Sequence, residues 1–189
     1  MSKLRTFVAI EIPNNVKEQI AAVQSELKRH GDRVSWVKST NIHLTLKFLG
    51  DVEESLIDSI GKKIQTAAEK SAPFSGEIAE LGAFPNLRRA RVLWAGVNGA
   101  EIELTDLVRN LENELNDIGF PKEKRKFNPH MTIGRVKSPL SPHFIARIKQ
   151  LEFNPGVLEG REIVFMRSDL KPTGAVYIPL SKLRLRAKS

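Results

Sequence analysis

Apolar and polar residues change period along this chain, and the changes divide it into alternating strand-like and helix-like stretches. Residues 5–12 read as a strand that Pro13 ends, and Asn14 or Asn15 can cap a helix running to about His30, where Gly31 stops it. Residues 34–37 suggest a short strand and 42–49 a clearer one, after which Gly50-Asp51 turns the chain into a helix over about 53–71. Residues 74–81 and 91–97 read as strands on either side of the loop Phe84-Pro85-Asn86-Leu87. In residues 101–118 the apolar positions Ile102, Leu104, Leu107, Val108, Leu111, Leu115 and Ile118 recur at helical spacing, and Gly119 closes the helix. A basic loop, 122–126, leads to a strand over 131–136. Ser141 before Pro142 starts a helix reaching about Leu151. Residues 162–168 and 176–185 end the pattern as strands. No low-complexity linker separates two independent domains.

Two of these strands carry the same short pattern, His43-Leu44-Thr45-Leu46 and His130-Met131-Thr132-Ile133. On a strand, the His and Thr of each copy share one face and the apolar pair takes the other. With four histidines and seven threonines in 189 residues, chance predicts only about 0.15 His-x-Thr pairs. The motifs lie 87 residues apart, from 43 to 130, and the order strand, helix, motif strand, helix surrounds both. An internal duplication is the expectation, each half supplying one edge of a shared cleft. The plainer alternative is two unrelated strands that each carry a half-buried histidine.

Paired imidazoles suit acid–base chemistry. With an ordinary pKa of about 6.5, one ring can be neutral and accept a proton from water while the other, charged, donates one to a leaving oxygen. Threonine hydroxyls beside them can hold the non-bridging oxygens of a phosphate, a layout for in-line attack at phosphorus. No carboxylate sits within either motif to suggest a metal site, and neither a Gly-x-Ser-x-Gly elbow nor a glycine-rich phosphate loop is present.

Composition narrows the setting. The net charge of +8 favours a polyanionic partner, nucleic acid first. The absence of cysteine excludes disulfides and thiolate metal sites and fits a cytoplasmic protein. No apolar run is long enough to span a membrane, and the start does not read as a signal peptide.

Around the motifs lie longer blocks: Arg5-Thr6-Phe7-Val8-Ala9-Ile10, His43-Leu44-Thr45-Leu46-Lys47-Phe48-Leu49-Gly50, Phe84-Pro85, Val92-Leu93-Trp94-Ala95-Gly96 and Phe127-Asn128-Pro129-His130-Met131-Thr132-Ile133-Gly134-Arg135. With them the chain resembles, over nearly its full length, the RNA 2′,3′-cyclic phosphodiesterases of the 2H phosphoesterase superfamily, also known as 2′-5′ RNA ligases. Ile133 stands where that family more often has leucine, a conservative change. The resemblance implies a bilobal α+β fold. Two antiparallel sheets with flanking helices would be related by a pseudo-twofold axis, with an active-site cleft between the lobes. Residues 1–189 would form one domain of two similar lobes, each with one motif. The implied reaction is metal-independent hydrolysis of RNA 2′,3′-cyclic phosphate termini to 2′-phosphomonoesters, with no cofactor. His43 would be the general acid that protonates the departing O3′, His130 the general base, and Thr45 and Thr132 the phosphate ligands. The symmetry of the motifs does not by itself assign acid and base.

Two further side chains are candidates. Arg135 suits a phosphate, but on a regular strand it faces away from His130, so it reaches the cleft only if the strand bulges near Gly134. Phe48, at the same offset from His43, can stack on a terminal base or belong to the core. For the RNA backbone, Lys122, Lys124, Arg125 and Lys126 have the best position, ahead of Arg88, Arg89 and Arg91, and of Lys182, Arg184 and Arg186 on one face of the last strand. The expected partner is an RNA ending in a cyclic phosphate, with halves of transfer RNA a guess from family context. No membrane is expected, and a monomer is the default. A 2′-5′ RNA ligase, a non-catalytic RNA-end or nucleotide-binding module, and more remotely a metallohydrolase are the alternatives.

Overall fold

A computed structural model describes residues 2–172 and 174–186. Its elements run β1 (Lys3–Glu11), α1 (Asn14–Lys28), β2 (Val34–Trp36), β3 (His43–Glu53), α2 (Ile57–Glu69), β4 (Phe74–Phe84), β5 (Val92–Asn98), α3 (Glu101–Asn116), β6 (His130–Val136), α4 (Pro142–Gln150), β7 (Gly156–Gly160), β8 (Glu162–Lys171) and β9 (Gly174–Arg184). The strands form two antiparallel sheets, ordered β3-β1-β8-β9 and β2-β6-β5-β4-β7. The expected α+β class, with two antiparallel sheets and flanking helices, is what is found.

Each sheet contains the same core arrangement. β3 lies antiparallel to β1 and β6 antiparallel to β5, and a helix joins the members of each pair. The two sheets are nevertheless not drawn one from each half of the sequence. β8 and β9, from the end of the chain, complete the first sheet, and β2, from the first half, pairs with β6 in the second.

The helices follow their apolar stripes. In α2, Ile60, Ile64, Ala67 and Ala68 are fully buried, a stripe at i, i+4, i+7 and i+8. In α3, Leu104, Leu107, Leu111 and Leu115 are buried, but Ile102 is 75% exposed and Ile118 is at the surface. Ile102 sits about 200° around the helix from Leu104, which puts it on the opposite face. Ser141 caps α4 as its sequence suggests, accepting a bond from the Phe144 N–H at 3.1 Å.

Three details depart from the sequence reading. Neither Asn14 nor Asn15 caps α1; Pro13 occupies the cap, and its carbonyl accepts from Val16 and Lys17. Gly50-Asp51 does not end the third strand. Gly50 takes φ +75° at an irregularity opposite Thr6 and Phe7, which bends β3 and lets it pair on to Glu53. The short β7 escapes pattern reading because it offers only Val157 and Leu158 between glycines. It pairs with β4 because Gly160 lacks a Cβ that would overlap the Phe74 ring.

Candidate active site

The His-x-Thr strands meet where the two sheets adjoin, β3 lying against β6. In each, the apolar pair enters the main core: Leu44 and Leu46 in β3, Met131 and Ile133 in β6. His43, Thr45, His130 and Thr132 are all half-buried on the face opposite that core. Three residues after each histidine the ladder slips by one. Leu46 has no partner between Val8↔Lys47 and Ala9↔Thr45, and Ile133 has none between Leu93↔Gly134 and Trp94↔Thr132. Each slip reverses the alternation, so Lys47 and Gly134 turn inward while Phe48 and Arg135 turn out on the histidine face. The bulge that Arg135 needs is therefore present, and it is present twice.

Both imidazoles are held in the same way. His43 Nδ1 lies 2.7 Å from the Asn41 carbonyl oxygen, and His130 Nδ1 lies 2.7 Å from that of Asn128. A carbonyl only accepts, so Nδ1 carries a proton in each ring and Nε2 is left for chemistry. Asn two positions before each His is a shared feature of both motif blocks that the sequence reading did not use. The Asn41 side chain also donates to the Ala175 carbonyl at 2.8 Å, tying this turn to β9.

The surroundings of the two rings differ. Phe7 stacks on His43 with centroids 4.8 Å apart, and the Tyr177 ring meets it edge-on at 5.1 Å. Phe7 and Tyr177 form a small second apolar cluster with Ala9, Val164 and Met166. Burial of His43, together with the nearby Lys17 ammonium, lowers its pKa, although the bond to Asn41 opposes the change. The His130 and Phe84 rings meet in a T-shaped arrangement, centroids 4.8 Å apart. Trp94 beside Phe84 lies flat over Gly82, where a Cβ would overlap the indole.

Arg135 is exposed, and near enough to Tyr177 for its charge to act on the phenol. Its charge and that of Arg5 pull the Tyr177 phenol pKa down, against burial, which raises it overall. Tyr177 in turn touches His43. Phe48 is 65% exposed and lies 5.9 Å from Phe7, so it is not a core residue. Sequence reasoning missed Phe7, Tyr177, Phe84, Trp94 and Lys17, which come from other strands or from α1. Their convergence is tertiary, and no local pattern announces it.

The basic clusters fare unevenly. Lys182 bonds Glu11 at 2.5 Å, and β9 ends at Arg184. Lys182, Arg184 and Arg186 are all exposed, alternating with Leu183 and the buried Leu185, although the Arg186 N–H bonds the Ser71 carbonyl at 3.0 Å beyond the end of the strand. Among the described residues, no group of three or more His, Asp or Glu side chains is arranged to hold a metal ion, and no helix is long and apolar enough to cross a membrane.

A family model for LigT-like phosphoesterases matches residues 10–94 and 97–177, both motifs included. The chain belongs to the LigT-like phosphoesterase family. Among curated relatives in this family, the RNA 2′,3′-cyclic phosphodiesterase of Methanothermobacter thermautotrophicus is 34% identical over 187 residues, 97% of this chain and 100% of the relative. That of Thermotoga maritima is 35% identical over 174 residues, 92% and 91% of the two chains. The crystal structure of TT0787 from Thermus thermophilus superposes with a TM-score of 0.83 at 25% identity, covering 98% of this chain and 100% of the other. E. coli LigT in its apo form shares the fold, with a TM-score of 0.75 at 24% identity and coverage of 98% and 99%.

Proposed function

We propose that this LigT-like phosphoesterase hydrolyses RNA 2′,3′-cyclic phosphate termini to 2′-phosphomonoesters, without a metal. The observation that carries the reading is the pair of histidines on β3 and β6, each with Nδ1–H committed to a backbone carbonyl and Nε2 without a hydrogen-bond partner among the described residues. The curated relatives named for this activity, aligned over nearly the whole chain, support it.

In the proposed cycle His130 Nε2 removes a proton from water as the oxygen attacks phosphorus. The P–O3′ bond breaks on the opposite side, and His43 Nε2–H gives its proton to O3′. The product carries a 2′-phosphate and a 3′-hydroxyl, and the two histidines exchange protons with solvent to reset. Thr45 and Thr132 hydroxyls donate to the non-bridging oxygens, and Arg135 supplies a guanidinium to the same phosphate. Phe48 offers its exposed ring to the terminal base. Burial favours the neutral form of His43 in the free protein. The phosphate anion of a bound substrate supplies the opposite charge and favours the protonated ring that donates.

Turnover of an oligoribonucleotide with a 2′,3′-cyclic phosphate end, in EDTA, tests the reading. A 2′-phosphate product from the wild type, with His43→Ala and His130→Ala each slower by about a hundredfold or more, is expected. No turnover by the wild type, or full rates in the variants, overturns it. A substrate with sulfur at the bridging 3′ position tests the assignment of acid and base, because a thiolate leaves without a proton. On it the His43→Ala defect shrinks and the His130→Ala defect persists; the reverse pattern exchanges the two roles.

A further inference from the structure

The bulge that turns Arg135 onto the histidine face also sets which way the residues beyond it point. Along β6 past the slip, alternation places Lys137 on the same side as Arg135. β2 pairs in register with this segment, Ser35 opposite Arg135 and Val34 opposite Val136. One residue further, the Lys137 N–H bonds the Arg33 carbonyl at 2.8 Å, so Arg33 lies across from Lys137 and shares the face of Ser35. Val34, Trp36 and Val136 take the other face and pack on the core. Arg33, Ser35, Arg135 and Lys137 thus form one exposed polar strip that continues the line of His130 and Thr132.

Among the described residues neither Arg33, Arg135 nor Lys137 is in an ion pair. Its place in line with His130 and Thr132 distinguishes this strip, since among the described residues Arg88, Arg89, Arg91, Lys124, Arg125 and Lys126 are in no ion pair either. By contrast Lys182 is held by Glu11, Arg147 by Glu26, Arg161 by Glu159 and Arg167 by Asp169. The neighbouring carboxylate, Asp32, is occupied, accepting from the Ser141 N–H at 2.6 Å and its hydroxyl at 3.0 Å. Arg135 and Lys137 are two residues apart on a strand, about 6.6 Å, a step that matches a chain of separate anionic groups better than a single ion.

The basic loop at the other end of β6 is placed differently. Its start is drawn to the helical side: the inward-facing Lys47 donates to the Pro121 carbonyl at 2.9 Å, and Glu112 on α3 accepts from the Glu123 N–H at 3.1 Å. Lys122 is bonded to Asn113, also on α3, at 2.6 Å.

We infer that Arg33, Ser35 and Lys137 form the track for the sugar–phosphate backbone upstream of the reacting end, which leaves the cleft past Arg135 along β6 and β2 rather than over residues 122–126. This rests on the reading of the site as one for RNA ends. The track takes single-stranded RNA by its phosphates and carries no sequence preference of its own.

The test compares two substrates, a nucleoside 2′,3′-cyclic monophosphate, which has no upstream phosphate, and a short oligoribonucleotide with the same cyclic end. For Arg33→Gln/Lys137→Gln, the ratio of kcat/KM for the oligonucleotide to that for the mononucleotide falls by about tenfold. The salt dependence of binding a fluorescent oligonucleotide weakens by about 0.7 in log–log slope for each phosphate that the variant no longer neutralises. An unchanged ratio and slope overturn the track, as does a larger fall in Lys124→Gln/Arg125→Gln/Lys126→Gln than in the double variant. Failure of the wild type to turn over either substrate defeats the catalytic reading instead, and the binding slopes then still decide for or against the track.

Discussion

At His43, burial and the Lys17 ammonium favour the neutral ring, while the bond to the Asn41 carbonyl favours the charged one. Burial is the largest of the three, so the His43 pKa lies below the ordinary imidazole value of about 6.5. An NMR titration of the free protein is expected to give a His43 midpoint below that value, and a higher one in Lys17→Gln, because a nearby positive charge has gone. A midpoint above 6.5, or one indifferent to Lys17, contradicts this account of the site. The linkage has a definite sign. A buried histidine with a lowered folded pKa contributes stability that is present above about pH 6.5 and lost as pH falls through the folded value. Tyr177 is a second residue to probe, since it touches His43 and feels Arg135. Tyr177→Phe keeps the ring contact and removes only the phenol. It is expected to leave the His43 midpoint nearly unchanged, whereas Tyr177→Ala opens the ring to water and raises it toward the ordinary value.

Among the elements, β3 is held to α3 by a buried ion pair. Lys47 Nζ lies 2.8 Å from Glu112 Oε2, with side-chain exposures of 3% and 10%. The bulge after Leu46 is what turns Lys47 inward, so the device that exposes Phe48 also creates this pair. Lys47→Met leaves Glu112 buried without its cation and is expected to cost about 3–5 kcal/mol of stability in denaturant unfolding. The Lys47→Met/Glu112→Leu double variant should recover much of that loss, since it buries no lone charge. A single variant as stable as wild type, or a double no better than the single, argues that water reaches the pair. At the edge of the second sheet, Gly160→Val drives a side chain into the Phe74 ring. It should destabilise the fold by about 1–3 kcal/mol, with faster hydrogen exchange in β7 than in β5 as its signature.

Across the whole molecule, the two sheets repeat one plan while their strands are exchanged along the chain. β8 and β9 close the first sheet from the far end of the sequence, and β2 crosses to the second. A fragment covering residues 1–98 therefore contains β3 and its histidine but lacks the strand that covers β1 on its other side. Such a fragment is expected to show no cooperative unfolding transition by calorimetry. A fragment that melts as a unit would mean that the first half carries its own core.

Most of the order of strands and helices, and the two motifs, were legible because each depends on neighbours along the chain. Period-two alternation puts His43 with Thr45 and His130 with Thr132 on a common face whatever the rest of the fold does. The repeated spacing marks the two strands as equivalents. Other features needed the third dimension. A one-residue slip is invisible in a single strand, because it is defined only against the partner. Phe48 and Arg135 could therefore be assigned to the histidine face only once β1 and β5 were in register with β3 and β6. The aromatic walls of the site, and Arg33 at the start of β2 beside Arg135 and Lys137 at the end of β6, come from segments far apart in sequence. Their meeting is decided by which sheet edges pair and which apolar faces bury each other, and no local pattern encodes it.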